Sequence, residues 1–106
     1  METITEIWYS ISYKEIEHYS QFGNVEVLHY DIIAVAADKA VVIDTARCVH
    51  WPDDPEDIVD YINRASCGML QYLMDDIDPE FSRDLFFPAS EIQTRYPSSI
   101  QYKKKG

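Results

Sequence analysis

The sequence predicts an α+β fold: a small antiparallel sheet of about three strands around a hairpin at residues 25–51, an amphipathic helix from about residue 55 packed on one face, and a short C-terminal helix. Three observations predict it. Apolar and β-branched residues alternate or run together in residues 4–11 and 25–51, the apolar period changes to three and four from residue 58, and turn-forming residues separate these stretches. The 106 residues are read as one globular domain, with a folded core over 1–97 and a flexible basic tail at 98–106.

The first strand is expected over ITEIWYSI, residues 4–11, where Thr5, Ile7, Tyr9 and Ile11 share one face. Ser12 and Glu15 then stand at capping-box spacing, so a short helix to about Phe22, stopped by Gly23, is expected next. Two β-rich runs flank Ala-Asp-Lys-Ala and predict a hairpin turning at Asp38 and Lys39. In that register Ala36 faces Val41, Ile32 faces Thr45 and Leu28 faces Val49. Tyr30 lies opposite Arg47, close enough to stack.

From residue 54 the pattern becomes helical. Ile58, Ile62, Ala65, Met69 and Leu73 form one apolar stripe, with Asp54 as N-cap and Pro55 in the first turn, and the helix is expected to reach about Met74 unless Gly68 breaks it. Asp78-Pro79-Glu80 repeats the Asp-Pro-Glu start, predicting a second short helix from Pro79 to about Leu85. Pro88 and Pro97 bracket a last turn.

Charge is unevenly spread. The net charge is −10, and residues 53 to 84 hold ten acids against Arg64 and Arg83, whereas residues 85 to 106 carry a net +3. Such a field disfavours direct binding of nucleic acid or an anionic membrane and steers cationic partners toward the middle of the chain. With 46% hydrophobic residues, acidity does not imply disorder. No apolar run approaches the ~18 residues of a membrane span. The N-terminus METITEIWYS lacks a basic start and apolar stretch, so a cytoplasmic location is expected, with Cys48 and Cys67 reduced.

Five carboxylates fall within residues 53 to 60: Asp53, Asp54, Glu56, Asp57 and Asp60. A helix start accounts for part of this run, because an N-cap and first-turn acids each gain roughly 0.3 to 1 kcal/mol from the helix dipole. Asp75 and Asp76 would sit at the opposite end of the same helix, where the dipole disfavours them. If helical, the first run carries one charge per about 2.4 Å of axis, near the ~1.7 Å of duplex DNA. Two acidic poles some 28 Å apart would then flank Arg64.

The predicted register also brings His29 opposite Cys48 on the second hairpin face, beside Asp31 and His50. Those residue types can ligate zinc or form a thiolate and its base. No Cys-x-x-Cys, His-Glu-x-x-His, Gly-x-Ser-x-Gly or glycine-rich phosphate loop occurs. No cofactor is expected. Trp8, Trp51 and the tyrosines are read as packing or interface residues.

The expectation is therefore a non-enzymatic acidic protein that binds and blocks a basic partner, a nuclease or nucleic-acid-binding protein, through Asp53, Asp57, Asp60, Asp75, Asp76, Asp78 and Glu80. Immunity proteins against nuclease toxins and phage-encoded inhibitors of host defence nucleases share this size and charge, an analogy only. The alternatives are a metal-binding or thiol enzyme using His29, Asp31, Cys48 and His50, and a self-associating structural module.

Overall fold

A computed structural model describes residues 3–65, 67–77 and 85–104. Among these, five strands form one antiparallel sheet, in the order β4-β3-β2-β1-β5: β1 Ile4–Tyr19, β2 Gly23–Ala36, β3 Lys39–Val49, β4 Phe87–Pro88 and β5 Ile100–Gln101. Three short α-helices accompany them: α1 Ile58–Arg64, α2 Cys67–Asp75 and α3 Ile92–Arg95. The α+β reading stands, but the sheet has five strands rather than three.

The largest difference lies in residues 12 to 22. No helix forms there. β1 runs on to Tyr19, which pairs with Gly23, and the Ser12 hydroxyl donates to the His29 carbonyl across the sheet instead of capping a helix. A capping box satisfies two amides, whereas the extended chain gains a whole ladder against β2 and places Tyr13, Glu15, Glu17 and Tyr19 on one face. Gly23, at φ 73°, supplies the backbone conformation that closes this hairpin.

The β2–β3 hairpin forms where expected, with a different register. The loop is Ala37 and Asp38, so Ala36 pairs with Lys39 and Ala34 with Val41, and a bulge between Ile32 and Ile33 then shifts the pairing by one. Tyr30 faces Ala46 rather than Arg47, and His29 faces Arg47 rather than Cys48. Because side chains alternate, the slip carries Ala46 and Cys48 onto the face with Ile32, and Thr45 and Arg47 onto the other.

That first face holds the main core, in which Ile7, Ile32, Ala46 and Cys48 pack under Ile58 and Ile62 of α1 and Leu70 of α2. The opposite face is covered at one end, where Ile33, Val35 and Ala40 meet Phe87 and Ile92 beside Trp8 and Tyr96. Arg95 lies 4.6 Å above the Phe87 ring. At the other end Val25, Val27 and Val49 pack with Tyr19 and Trp51.

The long helix expected from Pro55 is two helices. Residues 55 to 57 are held in the loop because the Glu56 amide donates to the Val49 carbonyl and the Val49 amide donates to Glu56 Oε2. Asp57, not Asp54, is the N-cap, its carboxylate accepting from the Val59 amide at 2.8 Å. Ala65 leaves helical geometry at ψ 94°. The break resets the phase: Ile58 and Ile62 are buried as expected, but Leu70 is buried in place of Met69, which is exposed.

Between Pro88 and Pro97 the expected turn is a 3-10 turn, Ala89–Glu91, leading into α3. The tail is less free than expected, since β5 pairs with Trp8 and Tyr9 of β1 and the Tyr102 amide donates to the Ile7 carbonyl. The short helix expected over 79 to 85 lies, but for Leu85, outside the described residues.

Candidate functional site

The acidic run is built from a loop and one helical turn. Pro52 and Pro55 interrupt amide donation along residues 52 to 57, and Glu56 ties the segment to the end of β3, so the run reaches α1 as an irregular loop that bends at residues 52 to 54. The helical spacing of one charge per about 2.4 Å therefore does not describe Asp53 to Asp57, which precede α1. The straight 28 Å separation between two poles is lost as well, because the chain breaks at Ala65.

What forms instead is a cleft of about 430 Å³ lined by Asp54, Pro55, Glu56, Asp57, Asp60, Asn63 and Arg64. Asp53 lies exposed next to it in sequence. Two of the carboxylates have structural work, Asp57 as helix cap and Glu56 as the tie to Val49. The Tyr102 hydroxyl donates to Asn63 Oδ1, so the segment after β5 fixes one wall.

Asp75 is the last residue of α2 and accepts a 3.1 Å hydrogen bond from Gln71 Nε2, while the Asp76 amide donates to the Tyr72 carbonyl. Both stand at a helix C-terminus, as expected, with no basic residue in the last turn to offset the dipole. They do not line the cleft of Asp54 and Asp60. Asp78 and Glu80 lie outside the described residues.

The His29, Asp31, Cys48 and His50 grouping does not assemble as expected. Cys48 is buried in the helix-covered core, and His29 faces the opposite side of the sheet. Burial raises the Cys48 thiol above its ordinary value, and the nearby Glu56 and Asp57 charges add to this. Among the described residues no group of three or more His, Cys, Asp or Glu side chains is placed to hold a metal ion.

His29 belongs to a different network, one missed at the sequence level. Its ring stacks on Tyr13 at 4.1 Å between centroids, and its Nε2 lies 3.1 Å from Glu15 Oε1. Beside it, Arg47 donates to both Glu17 oxygens and to the Tyr19 hydroxyl, which itself donates to Glu17. The hydrogen bonds from Arg47, then Tyr19, pull Glu17 down to about 2. Asp31 shares this face and is raised by desolvation. The signal was present in the sequence as the period-two series Tyr13, Glu15, Glu17, Tyr19, which the capping-box spacing obscured.

No protein-family model, no curated protein and no solved structure matches the chain. Among the described residues no helix is long and apolar enough to cross a membrane.

Proposed function

We propose that the protein is a non-enzymatic acidic binding protein of the cytoplasm that docks on, and blocks, a basic nucleic-acid-handling partner. The observation that carries this reading is the cleft before and along α1, where four carboxylates converge and Arg64 is the one basic residue in the lining. In a chain of net charge −10, such a cleft raises the local concentration of cationic groups and speeds their encounter. Asp53, Asp54 and Asp60 are exposed and cap no helix. Asp75 and Asp76 form a second acidic spot at the end of α2, where local helix energetics do not favour acids.

The test is an affinity capture from the source cell's lysate, comparing wild type with an Asp53→Asn, Asp54→Asn, Asp60→Asn variant that leaves the Asp57 cap and the Glu56 tie in place. Capture of a basic nuclease or nucleic-acid-binding protein, released by salt and lost in the variant, is expected, and the purified target's nuclease or nucleic-acid-binding activity should fall when wild type is added. Equal retention of the same target by wild type and variant at rising salt would overturn the role of these carboxylates.

A further inference from the structure

The two long edges of the sheet are treated differently. The outer edge of β3 is covered at both ends: β4 pairs with Lys39 and Ala40, the Ala89 amide donates to the Asp38 carbonyl, and Glu56 takes both backbone groups of Val49. Between them the Thr45 amide is taken by the side chain of Asp44. The outer edge of β1 is paired by β5 only at Trp8 and Tyr9. From residue 10 to residue 19, among the described residues, no strand lies beyond it. Soluble proteins guard such an edge with charge, proline, a bulge or a covering segment, because its free amides and carbonyls accept another strand, and here the guards are Lys14, Glu15, Glu17 and the register shift between Ile11 and Tyr13.

This edge is also where apolar surface is left uncovered. Ile11 is 40%, Tyr13 55% and Ile16 64% exposed, and Phe22 in the adjoining turn is 43% exposed. A strand laid beside β1 would bury the first three while satisfying its backbone, the mode by which extended peptides add to sheets.

Charge decides between two occupants. A second copy pairing antiparallel about a two-fold axis must set residues of the same face opposite each other. Centring on Glu15, Ile16 or Glu17 puts Glu15 against Glu15, Glu15 against Glu17, or Glu17 against Glu17, and centring on Lys14 puts Lys14 against Lys14; centring on Tyr13 opposes no like charges but runs across the register shift between Ile11 and Tyr13. Like charges directly opposed across a ladder are destabilising, and each copy brings a net charge of −10. A foreign strand with Lys or Arg at alternate positions places a cation opposite Glu15, whose side chain is 42% exposed and meets His29 through Oε1, and opposes no like charge at Glu17, whose carboxylate Arg47 already holds.

We infer that the open edge of β1 over residues 10 to 19 receives an extended basic strand of a partner protein, with a cation facing Glu15. This deepens the basic-partner reading, on which it rests, by naming a second surface for that partner.

The experiment titrates the full chain with a capped heptapeptide of alternating Lys and Val and follows amide exchange by NMR. Slowed exchange in residues 10 to 19, with affinity weakened about tenfold by Ile16→Lys at this exposed edge and unmoved by Asp53→Asn with Asp54→Asn, is the expected result. Binding that leaves residues 10 to 19 unprotected and disappears with the Asp53 and Asp54 changes would overturn the edge and leave the acidic cleft standing. Equal protection by a peptide with Gln in place of Lys would overturn the basic character of the occupant. Amides already protected without peptide, in a chain of doubled mass, would overturn it in favour of a second copy, and no binding at millimolar peptide would overturn it outright.

Discussion

Glu56 holds Val49 by both of its backbone groups: Glu56 Oε2 accepts from the Val49 amide at 2.9 Å, and the Glu56 amide donates to the Val49 carbonyl at 3.0 Å. The side-chain bond is charge-assisted and closes the end of an edge strand. Glu56→Ala is therefore expected to destabilise the protein by about 1 kcal/mol. Glu56→Gln, which keeps the acceptor oxygen, should cost less. Urea unfolding of the two variants checks this, and equal midpoints for Glu56→Ala and wild type would refute the tie.

The same pair explains where the sequence misleads. Asp54-Pro55 has every local mark of a helix start, and periodicity at Ile58 and Ile62 agrees, so a helix from residue 55 follows from nearest-neighbour rules. The bond from Glu56 to Val49 is a contact between a loop and a strand end, invisible to any window of sequence, and it moves the cap to Asp57. Residues 12 to 22 show the same conflict, since Ser12 and Glu15 satisfy the capping-box spacing but β2 is long enough to pair with residues 13 to 19. The β2–β3 hairpin was legible because Ala-Asp-Lys-Ala is flanked by β-branched runs on both sides. Its register was not, because the turn could close on either Ala37-Asp38 or Asp38-Lys39 and the bulge at Ile32 carries no sequence mark. The site inherits these limits: the acids before α1 were readable from composition, and the Tyr13, His29, Arg47 and Glu17 network was not.

Ala37 occupies the left-handed region at φ 56° in the β2–β3 turn. A side chain there meets the following carbonyl at a cost of roughly 1 to 2 kcal/mol, which glycine avoids while adding disorder to the unfolded chain. Ala37→Gly is thus expected to raise stability by up to about 1 kcal/mol, and Ala37→Val to lower it. A thermal melt in which glycine lowers Tm would show that the turn takes another conformation.

Cys48 lies 3% exposed beneath α1 and α2, and burial, with Glu56 and Asp57 nearby, raises its thiol. Both effects suppress the thiolate that alkylating agents attack. Iodoacetamide at pH 7.5 should modify Cys48 in the native protein slower by two or more orders of magnitude than in the urea-unfolded chain, on the order set by local opening. Peptide mapping by mass spectrometry separates Cys48 from Cys67. Rapid native labelling of Cys48 would revive a thiol-based chemistry that its burial argues against.

Asp31 and Glu17 share one face of the sheet and titrate in opposite directions. Desolvation raises Asp31 above its ordinary value, so folding favours its protonated form; the resulting stabilisation is present at low pH and is lost as pH rises through the folded value. Hydrogen bonds from Arg47 and Tyr19 hold Glu17 at about 2, so its stabilisation is present above the unfolded value and is lost as pH falls toward 2. Asp31→Asn should therefore raise Tm at pH 7, and the gain should shrink as pH falls below the ordinary value of 3.8 and both states take up the proton. Glu17→Gln should lower Tm at pH 7, and the deficit should shrink as pH falls below 4. Because the Glu17 pair is partly exposed, 0.5 M salt should reduce its effect and leave that of Asp31 largely intact. Parallel pH curves for the two variants would mean that a shared change in packing, not the titration of each carboxylate, governs the stability of this face.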